Sequence, residues 1–235
     1  MEKLTQKVYV WSRNIRLFHW LNVTSILLLI VIGTIILNAK VLGITTEGKI
    51  LLKVLHVSIG YVFTVNLLYR FFCGFTGKGF ERFSKTLAFQ QGFIDELKQY
   101  QQDKSKQYQG HNPLGKLMVT ALFLLMTTQV VSGLVIAGTD IYYPPFGQHF
   151  AESIAIDKQD LASIKPYSKT NVDEQAYKAM REFRAPFIQT HVYSFYTLLM
   201  FIFIHIAVVI YAERKHHQSL VSAMINGYKY LKKRE

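Results

Sequence analysis

Residues 185–212 read APFIQTHVYSFYTLLMFIFIHIAVVIYA. Twenty-eight positions pass without Asp, Glu, Lys or Arg. A helix crossing the hydrocarbon layer needs about 20 mostly apolar residues, so this run is long enough. Two histidines, His191 and His205, interrupt it fourteen residues apart. At about 1.5 Å rise and about 100° per residue they stand roughly 21 Å apart along the axis, within about 40° of one face. Polar side chains at such depth are costly and usually face partners or cavities.

Working outward, the chain carries three more such runs. The four spans are predicted at about 17–39, 52–76, 116–139 and 186–212. The second holds Arg70 near its end, which can snorkel toward the boundary. Half of the 235 residues are hydrophobic and 18% are charged, a membrane composition. The first run is too long for a cleaved signal, and no small-residue cleavage site follows it. The fold class is therefore all-α integral membrane. It is read as a four-helix transmembrane bundle in one domain, 1–235, with a cytoplasmic amphipathic segment and a long outer loop at about 140–185.

Basic residues set the orientation. The N-terminal segment, the segment from Arg70 to Lys116 and the tail carry eighteen bases against seven acids. The two opposite connections carry nine against eight. Both termini are expected in the cytoplasm of a bacterial cell, with the chain in its inner membrane. The net charge of +12 is accounted for by topology and contact with anionic membrane lipid, not nucleic acid. Phe93, Ile94, Leu97 and Tyr100 fall at helical spacing, which suggests a helix on the membrane surface. Pro144 and Pro145 suggest an extended stretch at the start of the outer loop.

Depth pairs the histidines. His19 in RLFHWL lies at the cytoplasmic level with His205, and His56 in LHVSIGYVF at the outer level with His191. A neutral imidazole is a ready axial ligand for haem iron, and two bis-histidine haems would occupy all four. The single cysteine, Cys73, excludes covalent attachment through C-x-x-C-H. Hydrogen-bonded bundle histidines, a proton relay or metal transport are the alternatives, although none of the four runs contains a carboxylate. His149, His216 and His217 lack the ligand spacing and read as surface residues.

RLFHWL, LHVSIGYVF, LLYRFFCGFTG, GHNPLGKLM, the His191/His205 pair and SAMINGYKY together resemble the bacterial cytochrome b561 superfamily, from about Arg13 to Tyr228. The branch most similar is the b-type cytochrome subunit of membrane-bound nickel-iron hydrogenases. That resemblance implies two haem b groups, His19/His205 on the inner iron and His56/His191 on the outer. It implies a quinone site at His111, Asn112, Gly115 and Lys116, although Asn112 and Pro113 equally read as a helix start. Arg16, one turn before His19, and Arg70 are candidate propionate partners. The implied function is electron transfer between the quinone pool and an extracytoplasmic redox protein, either a hydrogenase-like oxidoreductase or a c-type cytochrome. This makes the chain a subunit rather than a stand-alone enzyme, with a homo-oligomer left open. Two alternatives are a self-contained quinol oxidase acting on a small oxidant such as superoxide, and a haem-free metal-handling membrane protein.

Overall fold

A computed structural model describes residues 5–103, 107–216 and 219–232. Lys3, Lys104, Lys106, His217, Lys233 and Arg234, which entered the charge and histidine reading, lie outside them. In chain order the elements are β1 (Thr5–Tyr9), α1 (Arg13–Leu37), α2 (Thr46–Thr76), α3 (Phe83–Thr86), α4 (Phe93–Gln102), α5 (Pro113–Asp140), α6 (Gly147–Ile154), α7 (Glu174–His216), α8 (Leu220–Asn226) and β2 (Tyr228–Lys232). Four of them, α1, α2, α5 and α7, are long and apolar enough to cross a membrane, as the charge-free runs predict. Their flanks leave Leu27, Val31, Val65, Leu68, Phe203 and Val208 more than half exposed, which suits lipid rather than water.

Side-chain caps explain where these helices start. Ser12 Oγ accepts from the Ile15 amide at 3.3 Å, Thr45 Oγ1 from Gly48 at 3.1 Å, and Asn112 Oδ1 from Gly115 at 2.7 Å. Each occupies one of the orphan N–H groups of a first turn. Pro113 takes the first position of α5, where its missing N–H costs nothing. Asp173 does the same for α7, accepting from Ala176 at 2.7 Å. That cap starts the fourth long helix at Glu174, twelve residues before the predicted 186, and Pro186 lies inside it. The predicted outer loop shortens accordingly.

The chain divides into two compact units. One comprises Met1–Val23, Val65–Leu124 and Leu198–Glu235. Here β1 and β2 pair antiparallel, with Thr5 opposite Lys232 and Tyr9 opposite Tyr228, a contact the sequence reading did not anticipate. Beneath it Val10, Trp11 and Ala223 are buried, with Val8, Ile15, Phe80 and Met224 packed around them. Gly227 ends α8 at φ +90°, and a Cβ there would meet the Tyr9 ring at 2.5 Å and the Trp11 carbonyl at 2.7 Å. Only glycine fits.

Arg70 does not snorkel. It is 4% exposed, donates to the Glu81 carbonyl at 2.8 Å, and lies 4.9–5.9 Å from the rings of Phe83, Phe123 and Phe18. A guanidinium is weakly hydrated and stacks on aromatic faces, so an internal setting is affordable where rings and a carbonyl replace water. On α4, Phe93 is buried while Ile94 is 67% exposed. Its Glu96 and Tyr100 reach Lys116 and Asn112, so one face of the helix is held by the chain itself.

The other unit comprises Thr24–Thr64 and Leu125–Thr197. The connection between α5 and α7 builds a small core of Ala151, Ile154, Ile164, Val172 and Met180, closed by an isolated bridge between Ala155 and Val172. Asp140, at the end of α5, accepts from Lys53 and, at 2.8 Å, from Arg184. Lys53 also reaches Tyr167 Oη at 2.7 Å, and Tyr61 Oη donates to the Pro144 carbonyl. Pro144 and Pro145, joined by a cis peptide, lie in a turn leading into α6 rather than in an extended stretch.

Candidate functional site

Each unit contains one of the histidine pairs. In the unit built from Thr24–Thr64 and Leu125–Thr197, α2 supplies His56 and α7 supplies His191. Their ring centres are 6.4 Å apart and their planes 72° apart. Neither ring nitrogen of one is hydrogen-bonded to the other. His191 Nδ1 is 3.0 Å from Ser132 Oγ, whereas His56 Nδ1 is buried with no partner. Glycines on α1 and α5 leave room beside both rings. A Cβ on Gly33 would stand 3.2 Å from His56 Cε1, and one on Gly133 would stand 3.3 Å from His191 Cε1.

In the unit that holds the termini, α1 supplies His19 and α7 supplies His205, within electrostatic range of each other. His19 Nδ1 is buried without a partner, and the ring meets Trp20 edge-on at 5.2 Å. One turn earlier, Arg16 donates through Nη1 to the Ile225 carbonyl, while its Nε is buried and unsatisfied. Arg70, the other propionate candidate, has its guanidinium enclosed among phenylalanines as described.

The segment GHNPLGK is a helix start, as its Asn-Pro pair allows, and it is more than that. Asn112 uses Oδ1 for the cap and Nδ2 for Tyr100 Oη at 3.2 Å. Lys116 is 7% exposed and grips both carboxylate oxygens of Glu96, at 3.0 and 2.8 Å. Gly115 sits close above, where a Cβ would meet Asn112 Oδ1 at 3.1 Å. His111 packs against the Trp11 ring, centres 4.8 Å apart. Burial pushes its imidazole down to about 3, helped by the nearby charges of Lys229, Lys116 and Arg70. At neutral pH it is therefore an uncharged ring with one donor and one acceptor.

Sequence reasoning missed Trp11, Lys229, Glu96 and Ser132. Lys229, 5% exposed, crosses from β2 to donate to the Gly110 carbonyl at 2.9 Å and lies 5.5 Å from the Trp11 ring. Burial lowers its ammonium to about 8. Nothing local marks Lys229, since its neighbours, Gly110 and Trp11, come from distant parts of the chain. Ser132 carried a readable signal: TTQVVSG sets polar side chains three apart inside an apolar run, Gln129 and Ser132.

Four apolar helices of membrane-crossing length define a class of helical membrane protein. Residues 10–227 match the prokaryotic cytochrome b561 family, and the chain belongs to it. It is thus a multi-pass b-type cytochrome, which implies haem b and membrane electron transfer. Among its relatives is a probable Ni/Fe-hydrogenase B-type cytochrome subunit of Rhizobium leguminosarum bv. viciae, 27% identical over 98% of this chain and 92% of the relative. Proteins with the same description from Rhodobacter capsulatus and Cupriavidus necator are 24% and 22% identical, over 96% and 98% of this chain and 82% and 90% of theirs. No solved structure matches the chain at a significant level.

Proposed function

We propose that the chain is a dihaem cytochrome forming one membrane domain over residues 1–235, which moves electrons between a membrane quinone pool and an extracytoplasmic redox protein. His56 and His191 would hold one haem, and His19 and His205 the other. The observation that carries this reading is the 6.4 Å between the His56 and His191 ring centres. Two imidazoles at that spacing, neither bonded to the other, would hold an iron between them. The glycines beside both rings, Gly33 and Gly133, keep side chains away from them and fit the same group. Among the described residues no cluster of three or more His, Cys, Asp or Glu could hold a bare metal ion, so the pairs suit a cofactor that brings further ligands of its own. Haem b supplies a one-electron iron couple, tuned by axial ligands, hydrogen bonds and burial.

The chain's own residues would do the rest. Arg16 offers an unsatisfied Nε beside His19, suited to a propionate. His111, uncharged and against Trp11, is the leading donor to a quinone carbonyl. Asn112, Gly115 and Lys116 would shape that site through the helix cap and the Glu96 pair. Pairing of β1 with β2 brings both ends of the described chain together, which supports both termini on one side, the cytoplasmic side of a bacterial inner membrane. The relatives' names support an oxidoreductase of the hydrogenase type as the partner, and the folded α5–α7 connection offers it an ordered surface.

Two haems per chain by pyridine haemochrome, with a b-type reduced-minus-oxidised spectrum, is the expected result. His205→Ala and His191→Ala should each remove one haem, and different ones. A single haem in the intact protein, or the same spectral component lost in both variants, refutes the assignment.

A further inference from the structure

The two histidines that meet at 6.4 Å are not held alike. Ser132 is 2% exposed, and its hydroxyl lies 2.6 Å from the Thr128 carbonyl and 3.0 Å from His191 Nδ1. A hydroxyl has one hydrogen and two lone pairs. The carbonyl can only accept, so the hydrogen is directed there, and a lone pair is left facing His191. Nδ1 must then carry the ring proton, which leaves Nε2 unprotonated, the form a metal requires. Gln129 tightens the same joint, donating to the His191 carbonyl at 2.8 Å and to Ser194 Oγ at 2.8 Å. Ser194 in turn donates to the Thr190 carbonyl at 2.6 Å. One turn of α5 thus grips the backbone and the ring of His191 together. His56 Nδ1 has no such acceptor.

We propose that Ser132 is a positioning residue that fixes the tautomer and orientation of His191 and, by accepting its Nδ1 proton, lowers the reduction potential of the haem that His191 binds. The inference rests on the reading of His191 as an axial ligand. An acceptor on the far nitrogen makes the imidazole a stronger donor, which favours the oxidised iron. The other haem is unaffected.

The test is a redox titration of the purified full-length cytochrome with both haems resolved spectroscopically, the relevant component being the one that His191→Ala removes. Ser132→Ala is expected to keep two haems and to shift that component alone toward reduction, by about tenfold in its one-electron equilibrium constant, or about 59 mV. Ser132→Thr, which keeps a hydroxyl, is expected to stay near the parent potential. Ser132→Cys, a weak acceptor of similar size, should move in the same direction by less, and it decides the matter if the alanine variant does not assemble. Unmoved potentials in Ser132→Ala or Ser132→Cys, with one haem lost in His191→Ala, overturn this proposal and leave the ligand reading standing. Retention of both haems by His191→Ala overturns both.

Discussion

Gly33 offers the sharpest test of how tightly the helices close on the His56 ring. A Cβ at Gly33 would lie 3.2 Å from His56 Cε1 and 3.7 Å from Nδ1, whereas Gly60 has nothing within 4 Å of the same atom. Carbon atoms prefer about 3.5–4.0 Å, so Gly33→Ala requires the ring or the helix to yield by a few tenths of an ångström. Overpacking of this kind costs roughly 1–3 kcal/mol, and alanine returns up to about 1 kcal/mol in helix propensity. The net expectation for Gly33→Ala is a loss of about 0–2 kcal/mol, with partial retention of haem. Gly33→Leu, with three further carbons beside the same ring, should abolish binding at His56 while leaving the other haem in place. Gly60→Ala, which meets no neighbour, should retain both. The assay is haem per chain and the difference spectrum of purified protein before and after mild heating. A Gly33→Leu variant with two haems and an unaltered spectrum would refute the packing argument, as would a Gly60→Ala variant that loses haem equally.

Asp140→Asn removes the negative partner that Lys53 and Arg184 share among the described residues, at a site where all three side chains are 11–19% exposed. Stranding buried charge costs roughly 3–5 kcal/mol, and partial access to solvent reduces this to about 2–3 kcal/mol, readable as a lower melting temperature in detergent. Adding Lys53→Met should recover part of it; no recovery would show that the pair is not coupled. The His111 ring, held at about 3 against an ordinary 6.5, refuses a proton that the unfolded chain accepts. Stability should therefore fall as the pH drops below 6.5 toward 3, by up to about 1.4 kcal/mol per pH unit, and His111→Gln should flatten that arm. Lys229, held at about 8 against 10.5, acts in the opposite range: stability should rise from pH 8 toward 10.5, and Lys229→Met should remove the rise. Parallel pH profiles for variant and parent would contradict either case.

Features that depend on neighbours along the chain are legible from the sequence alone. Three charge-free runs of bilayer length and a fourth interrupted by Arg70, a fourteen-residue interval and the Asn-Pro start of α5 are local properties, set by helix geometry and by the cost of charge in hydrocarbon. So is the early start of α7, marked by Asp173 and Glu174 rather than by apolar residues, because helices do not end where membranes do. Tertiary structure decided the rest. The pairing of Tyr9 with Tyr228, the reach of Lys229 to Gly110 and the meeting of Ser132 with His191 join residues 59 to 219 positions apart, and no window along the chain contains both partners. Arg70 illustrates the same limit. From sequence alone a basic residue at a helix end is drawn to the boundary, and only the rings of Phe18, Phe83 and Phe123, brought from three other segments, make an interior place for it.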